Sequence, residues 1–173
     1  MNFDLDESVS LLRNTPSLLR TLLADRPDEW ARSNYGPNTF SPLDVVAHLI
    51  HGERSDWIPR VRIILEHGPA RPFAPFDHTA AYDESLGRTM SDLLDHFEWL
   101  RSDNLETLAT LAVRQQLDRS GTHPALGPVT LAQLLAAWTV HDLHHVAQIC
   151  KAMSYQYKEA IGPWLEFIGI VPR

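Results

Sequence analysis

Of the nine histidines in this 173-residue chain, three fall within five residues, "HDLHH", His141 to His145. Neutral imidazole is a common metal ligand, so this density raises the question of chelation. At about 100° per residue, His141 and His145 lie on the apolar stripe of Leu131, Leu134, Leu135, Trp138 and Ile149, and His144 points off it. Two imidazoles four residues apart stand one turn above each other and can converge on one ion. The competing reading is a pair of core histidines satisfied by hydrogen bonds. Chelation normally takes a third ligand, and "AHLIHGE" offers His48 and His51. Periodicity does not choose between them. Val45, Val46, Ala47, Leu49 and Ile50 make that helix start apolar almost all round, and the longer stripe through Ile50, Trp57, Val61 and Ile64 lies nearer His51.

The elements that must carry these residues read as four main helices in one domain spanning 1–173. The first covers roughly 4 to 25, with a kink or short break expected at Pro16, where Thr15 is placed to cap. The second opens at "SPLD", with Ser41 as cap, Pro42 in the first turn and Asp44 reaching back, and is expected to run to about His67 before Gly68 and Pro69. The third, near 83 to 112, carries Leu86, Met90, Leu93, Leu94, Phe97, Leu108 and Leu111. The fourth begins at the capping box of Thr130 and Gln133 and ends near Ser154. Strand signals are weak. A short helix is expected before Gly162 and Pro163, with Trp164, Phe167 and Ile168 covering an edge of the core.

Depth along the helices tests the topology. His48 lies about 10 Å past its helix start, and the midpoint of His141 and His145 about 16 Å before its helix end. These depths match when the second and fourth helices are antiparallel, whereas a plain up-down-up-down bundle would make them parallel. One long crossover resolves the conflict, and residues 68 to 82, "GPARPFAPFDHTAAY", are long enough to be that strap.

Composition narrows the function. Hydrophobic residues at 44% and charged residues at 21% describe an ordinary globular chain. A formal charge of -7 without a basic run argues against nucleic acid as a partner. Neither a signal peptide nor a membrane-length apolar run is visible, so a cytoplasmic location is expected. Cys150 is the single cysteine, which excludes an intrachain disulfide and reads as a buried, inert thiol.

The "TP" in the first helix, "SPLDVVAHLIHGERSDW" and "WTVHDLHHVAQI" resemble the DinB-like or YfiT-like family, with Ala147 where that family commonly has glycine. The resemblance covers most of the chain. It implies a four-helix bundle of up-down-down-up topology that binds a divalent metal, zinc or nickel, through three histidines. By position these are His48, His141 and His145; His51 falls where the family often has an acidic residue. Three imidazoles suit a catalytic metal, because a fourth position is left for water or substrate. The resemblance also implies a small-molecule reaction: ionisation of a low-molecular-weight thiol such as bacillithiol, mycothiol or glutathione, which attacks an electrophilic carbon. A non-catalytic metal-binding or ligand-sensing module of the same fold is the alternative. "HDLHH" lacks the glutamate of a zincin, and no repeated Glu-x-x-His of a di-iron bundle is present.

Around the ligands, Asp142, Glu53 and Gln148 could orient imidazoles or be solvated polar positions. Arg32, Arg54 and Arg60 could meet carboxylates of a cosubstrate or be surface residues. The five tryptophans read as core or interface anchors, which leaves a homodimer open. The strap and the 26 to 40 loop are candidates to line the pocket.

Overall fold

The computed structural model describes residues 2–77 and 84–172. Helix α1 spans Leu5–Leu23 and a short α2 spans Asp28–Arg32. α3 spans Pro42–Ser55, α4 Trp57–His67, α5 Met90–Thr110 and α6 Leu131–Tyr155, with a hairpin of β1, Ser120–His123, and β2, Gly127–Thr130, ahead of α6. With α3 and α4 counted as one interrupted helix, this is a four-helix bundle.

Two apolar clusters fix the chain directions. One joins Leu19 and Leu23 of α1, Leu43 to Ile50 of α3, Met90 to Leu100 of α5 and Ile149 of α6. The other joins Leu5 and Leu12 of α1, Trp57 to Ile64 of α4, Leu108 of α5 and Leu131 to Trp138 of α6. At the first end α1 and α6 finish while α3 and α5 begin, so α1 and α6 run one way and α3 to α5 run the other. α3 and α5 can share a direction only if the chain returns along the bundle between them. Of the strap assigned to that return, residues 78–82 lie outside the described residues.

Local sequence explains how three of the helices begin. Ser41 accepts from the amide of Asp44, whose carboxylate accepts from Ser41, with Pro42 following the cap. Thr130 and Gln133 form the same reciprocal box on α6, and Thr89 and Asp92 form a third on α5.

The expectations need correction at several places. α1 continues through Pro16 without a break. Pro16 supplies no N–H to the carbonyl of Leu12, but the buried Arg101 guanidinium donates to that oxygen at 2.7 Å, replacing the lost partner. Thr15 caps nothing; its hydroxyl donates to Leu11 O at 3.2 Å. The second helix is interrupted at Asp56 (φ -110°, ψ -66°). Pro59, three residues on, cannot donate to the Ser55 carbonyl, and its ring crowds that oxygen, so the helix restarts.

α5 begins only at Met90, where its capping box sits, and Leu86, expected in its apolar stripe, is 72% exposed. The hairpin was missed by periodicity because its strands are four residues long. Gly127, at φ 74°, closes its turn. A side chain at Gly121 would strike Ile64 and Phe73, so glycine lets the hairpin lie flat on α4 and the strap. Phe73 N donates to Thr122 O at 2.9 Å, tying strap to hairpin. At the C-terminus a 3-10 turn spans Gly162–Glu166, after the glycine rather than before it. Trp164 and Phe167 are 68% and 81% exposed and Ile168 is also exposed, so these three side chains do not cover the core edge, and Val171 is the described residue of this tail that is buried.

Candidate metal centre

His48 on α3 meets His141 and His145 on α6 in the bundle interior. The Nε2 atoms of His48 and His145 each lie 3.1 Å from Nε2 of His141, and one nitrogen from each ring falls within 4.8 Å of the others. His51 turns away, its ring against Phe76 at 4.8 Å and its Nε2 3.3 Å from the Ser55 hydroxyl. His144 is exposed, beside His145 but outside the cluster. Helix geometry therefore separates His144 from the pair as the wheel does, and fold geometry chooses His48 over His51 where the wheel does not.

The contacts disfavour a self-satisfied histidine core. Gln148 Oε1 lies 2.7 Å from His145 Nδ1, which places the hydrogen there and leaves Nε2 with its lone pair. Both 3.1 Å contacts converge on the single Nε2 of His141, and one hydrogen serves at most one of them in linear geometry. Among the described residues His141 Nδ1 has no hydrogen-bond partner. Burial holds His141 neutral, with His48, His144 and Arg101 adding repulsion, and brings its pKa down to about 3. Burial and then His141 lower His145 to about 3 as well, against the opposing bond to Gln148 and the charge of Asp142.

These donors fit a divalent cation of the zinc type. Nitrogens bound tetrahedrally at 2.0–2.1 Å sit about 3.3 Å apart. The observed 3.1 Å contacts are close to that spacing. Neutral rings need no deprotonation to ligate. Aromatic rings surround them: Phe40 and Phe76 lie 5.8 and 5.3 Å from His48, and Trp57 lies 5.2 Å from His141 while stacking on Trp138 at 5.7 Å.

A cleft of about 560 Å³ opens onto His48 and His141, lined also by Asp56, Arg60, Pro75, Phe76 and the hairpin turn at His123 to Ala125. The helix break at Asp56, the strap and the hairpin thus build one wall each. Two other clefts, of about 400 and 410 Å³, run between α1 and α5 and contain no histidine. From the 26 to 40 segment, Phe40 is the residue seen packed on a site imidazole.

The surrounding polar residues divide sharply. Gln148 orients a site imidazole. Asp142 and Glu53 do not: both pair with Arg101, which is 1% exposed. Arg101 Nη1 and Nη2 reach Asp142 at 2.6 and 3.0 Å, Nη2 reaches Glu53 at 2.8 Å, and Nη1 also serves Leu12 O. Asn104 Nδ2 and Trp138 Nε1 complete the shell of Glu53 at 2.9 Å each. Burial disfavours the charge of this guanidinium, but Glu53 and Asp142 outweigh it and raise its pKa above the ordinary value. Arg101 and Asn104 escaped notice in the sequence, although both continue the stripe of Met90, Leu94, Phe97 and Leu108 at steps of three and four. Of the three arginines considered for anion contact, Arg32 pairs with Asp28 and Arg54 with Glu84, and only Arg60 lines the cleft.

The profile of the DinB superfamily matches residues 11–149. A protein of Oceanobacillus iheyensis named as a candidate metal-dependent hydrolase is 23% identical over 149 residues, covering 86% of this chain and 85% of its own. A Geobacillus kaustophilus protein named in the same way is 26% identical over 151 residues, covering 84% and 82%. Among solved structures, YfiT from Bacillus subtilis, described as a candidate metal-dependent hydrolase with an unusual four-helix bundle topology, superposes with a TM-score of 0.73 at 23% identity, over 90% of this chain and 86% of its own. TT2238, a four-helix bundle protein, matches with a TM-score of 0.54 at 18% identity, over 82% and 94%.

Proposed function

Since the chain belongs to the DinB superfamily, we propose that it is a divalent-metal-dependent enzyme for small molecules, with His48, His141 and His145 as the metal ligands. The observation that carries this reading is the convergence of three imidazole nitrogens within 4.8 Å of one another, with His48 and His141 lining a cleft of about 560 Å³. A zinc or nickel ion held there supplies a Lewis acid that lowers the pKa of a bound water or thiol. Gln148 fixes the tautomer that makes His145 a ligand. Phe40, Trp57 and Phe76 limit water around the rings, which strengthens electrostatic interactions within.

Among the described lining residues there is no Ser, Thr, Cys or Lys and Asp56 is engaged by Arg60, which supports a nucleophile drawn from solution. We read that nucleophile as a low-molecular-weight thiol of the bacillithiol, mycothiol or glutathione type, and the reaction as S-transfer or isomerisation. Water, giving hydrolysis, is the second reading, and the names of the two curated relatives favour it. The non-catalytic module predicts an occupied site without turnover. A cytoplasmic location, a homodimer and no membrane or nucleic-acid partner belong to the same proposal. Among the described residues no helix is long and apolar enough to cross a membrane.

Elemental analysis of purified protein tests the site: about one divalent metal per chain in wild type and His144→Ala, and loss in His141→Ala or His145→Ala. Equal metal content in all four rejects it. Turnover of thiol and electrophile pairs against ester and amide substrates, metal-loaded against metal-stripped, then separates S-transfer from hydrolysis.

A further inference from the structure

The cleft has a second polar end. Arg60 lies one turn into α4, just past the helix break, and is 8% exposed. Its guanidinium covers Phe73 at 5.3 Å and makes one ion pair, from Nη2 to Asp56 Oδ1 at 2.5 Å. Burial lowers the pKa of Arg60, and the attraction of Asp56 offsets only part of that. Among the described residues no further hydrogen-bond partner is seen for its remaining N–H groups, and the residue lines the cleft. A guanidinium is a planar fork of five donors, and one carboxylate oxygen fills little of it.

The hairpin places a second donor along the same cleft. His123 Nδ1 accepts from the backbone amides of Ala125 and Leu126 at 3.1 and 3.2 Å. In the neutral ring the hydrogen therefore sits on Nε2. Burial, and then the positive charge of Arg60, favour that neutral form. Among the described lining residues Asp56 is the one acidic side chain and is engaged by Arg60, and Pro75, Phe76, Pro124 and Ala125 add apolar wall. Its volume falls within the range of small-ligand pockets, about 300–1,000 Å³.

We propose that Arg60 and the Nε2–H of His123 form a subsite for the carboxylate of a small substrate or cosubstrate whose reacting group lies at the three imidazoles. A singly charged, planar carboxylate matches the open side of the guanidinium fork and adds less repulsion against Asp56 than a doubly charged phosphate. This inference rests on the functional reading above and narrows its substrate class to carboxylate-bearing molecules.

The test titrates ¹⁵N-labelled protein, with its metal content recorded, with glutarate and with its neutral analogue glutaramide. In wild type, glutarate saturates shifts at the Arg60 and His123 side-chain resonances at least tenfold more tightly than glutaramide does. Arg60→Met abolishes the preference. Arg60→Lys keeps the charge over Phe73 and retains a reduced preference, and it serves as the readout should Arg60→Met fail to fold. His141→Ala, which leaves the subsite intact, keeps the preference whether or not metal is held, so failure of the metal reading is seen separately. No preference in wild type, or an unchanged preference in the Arg60 variants, overturns the subsite.

Discussion

Two buried polar clusters lie next to each other along α6, and they are built on opposite terms. At Arg101, every helix of the bundle contributes to one guanidinium: Leu12 from α1, Glu53 from α3, Asp142 from α6, and Arg101 itself from α5. Its charge is met by two carboxylates, and one of its nitrogens, Nε, has no partner among the described residues. At His48, His141 and His145, three nitrogens instead face a common point and cannot all satisfy one another. The first cluster has its charge matched by the protein's own carboxylates and holds the helices at one level. The second keeps His141 Nδ1 without a partner among the described residues, and in our reading a metal ion completes it. The two also share positions: Glu53 follows His48 by five residues, Asp142 adjoins His141, and the clamp thereby sets the register of both helices that carry the imidazoles.

The largest effect separates holding from binding. Arg101→Met leaves Glu53 and Asp142 buried without their cation, and removal of one partner from a buried pair costs about 3–5 kcal/mol. Urea unfolding is expected to show that loss, or failure to fold. His141→Ala removes a ring whose Nδ1 has no described partner, so its unfolding free energy without metal should change by less than half as much, while its metal is lost. Equal destabilisation by the two variants would erase the distinction between the clusters.

A second effect follows from protons. His141 and His145 titrate at about 3 in the folded chain and near the ordinary histidine value when unfolded. The unfolded state thus binds protons more readily, and stability without metal falls as pH drops from about 6.5 towards 3. One such ring accounts for about 2 kcal/mol between pH 7 and pH 5. Stability curves of metal-stripped protein at several pH values should show this slope, and the His141→Ala/His145→Ala double variant should lose most of it. An unchanged slope in the double variant assigns the acid sensitivity elsewhere.

The helical stripes, the capping boxes at Ser41 and Thr130, and the separation of His144 from its neighbours were all legible because each depends on residues within one or two turns. Pro16 and Pro59 show where such reasoning ends. Both remove a backbone donor, yet α1 runs straight through Pro16 because Arg101, 85 positions later in the chain, serves the freed carbonyl. Among the described residues no equivalent donor is seen at the Ser55 carbonyl, and the helix breaks before Pro59. The rescue is a tertiary event that no local pattern contains. His48 and His51 are the same case: three residues apart on an almost wholly apolar turn, they are told apart only by where α6 packs. Arg101 and Asn104 were readable as polar residues inside an apolar stripe, a pattern that marks a buried network when partners of opposite charge lie on facing helices. The hairpin was not, since four-residue strands carry too little alternation.

The smallest effect tests how finely the open cluster is tuned. Gln148 touches His145 Nδ1 and stands outside the triad of rings, so its removal leaves all three ligands in place. It withdraws only the acceptor that keeps the hydrogen on Nδ1 and the lone pair on Nε2. Outer partners of ligating histidines are typically worth 10–100-fold in metal affinity. Gln148→Ala should therefore weaken zinc binding by about that factor in a chelator competition assay, with little change in metal-free stability. Gln148→Glu, which keeps an acceptor at the same reach, should restore most of the affinity. Loss of binding in both variants would point to packing rather than to the tautomer, and the open cluster would then depend on its neighbours in the same way as the clamp.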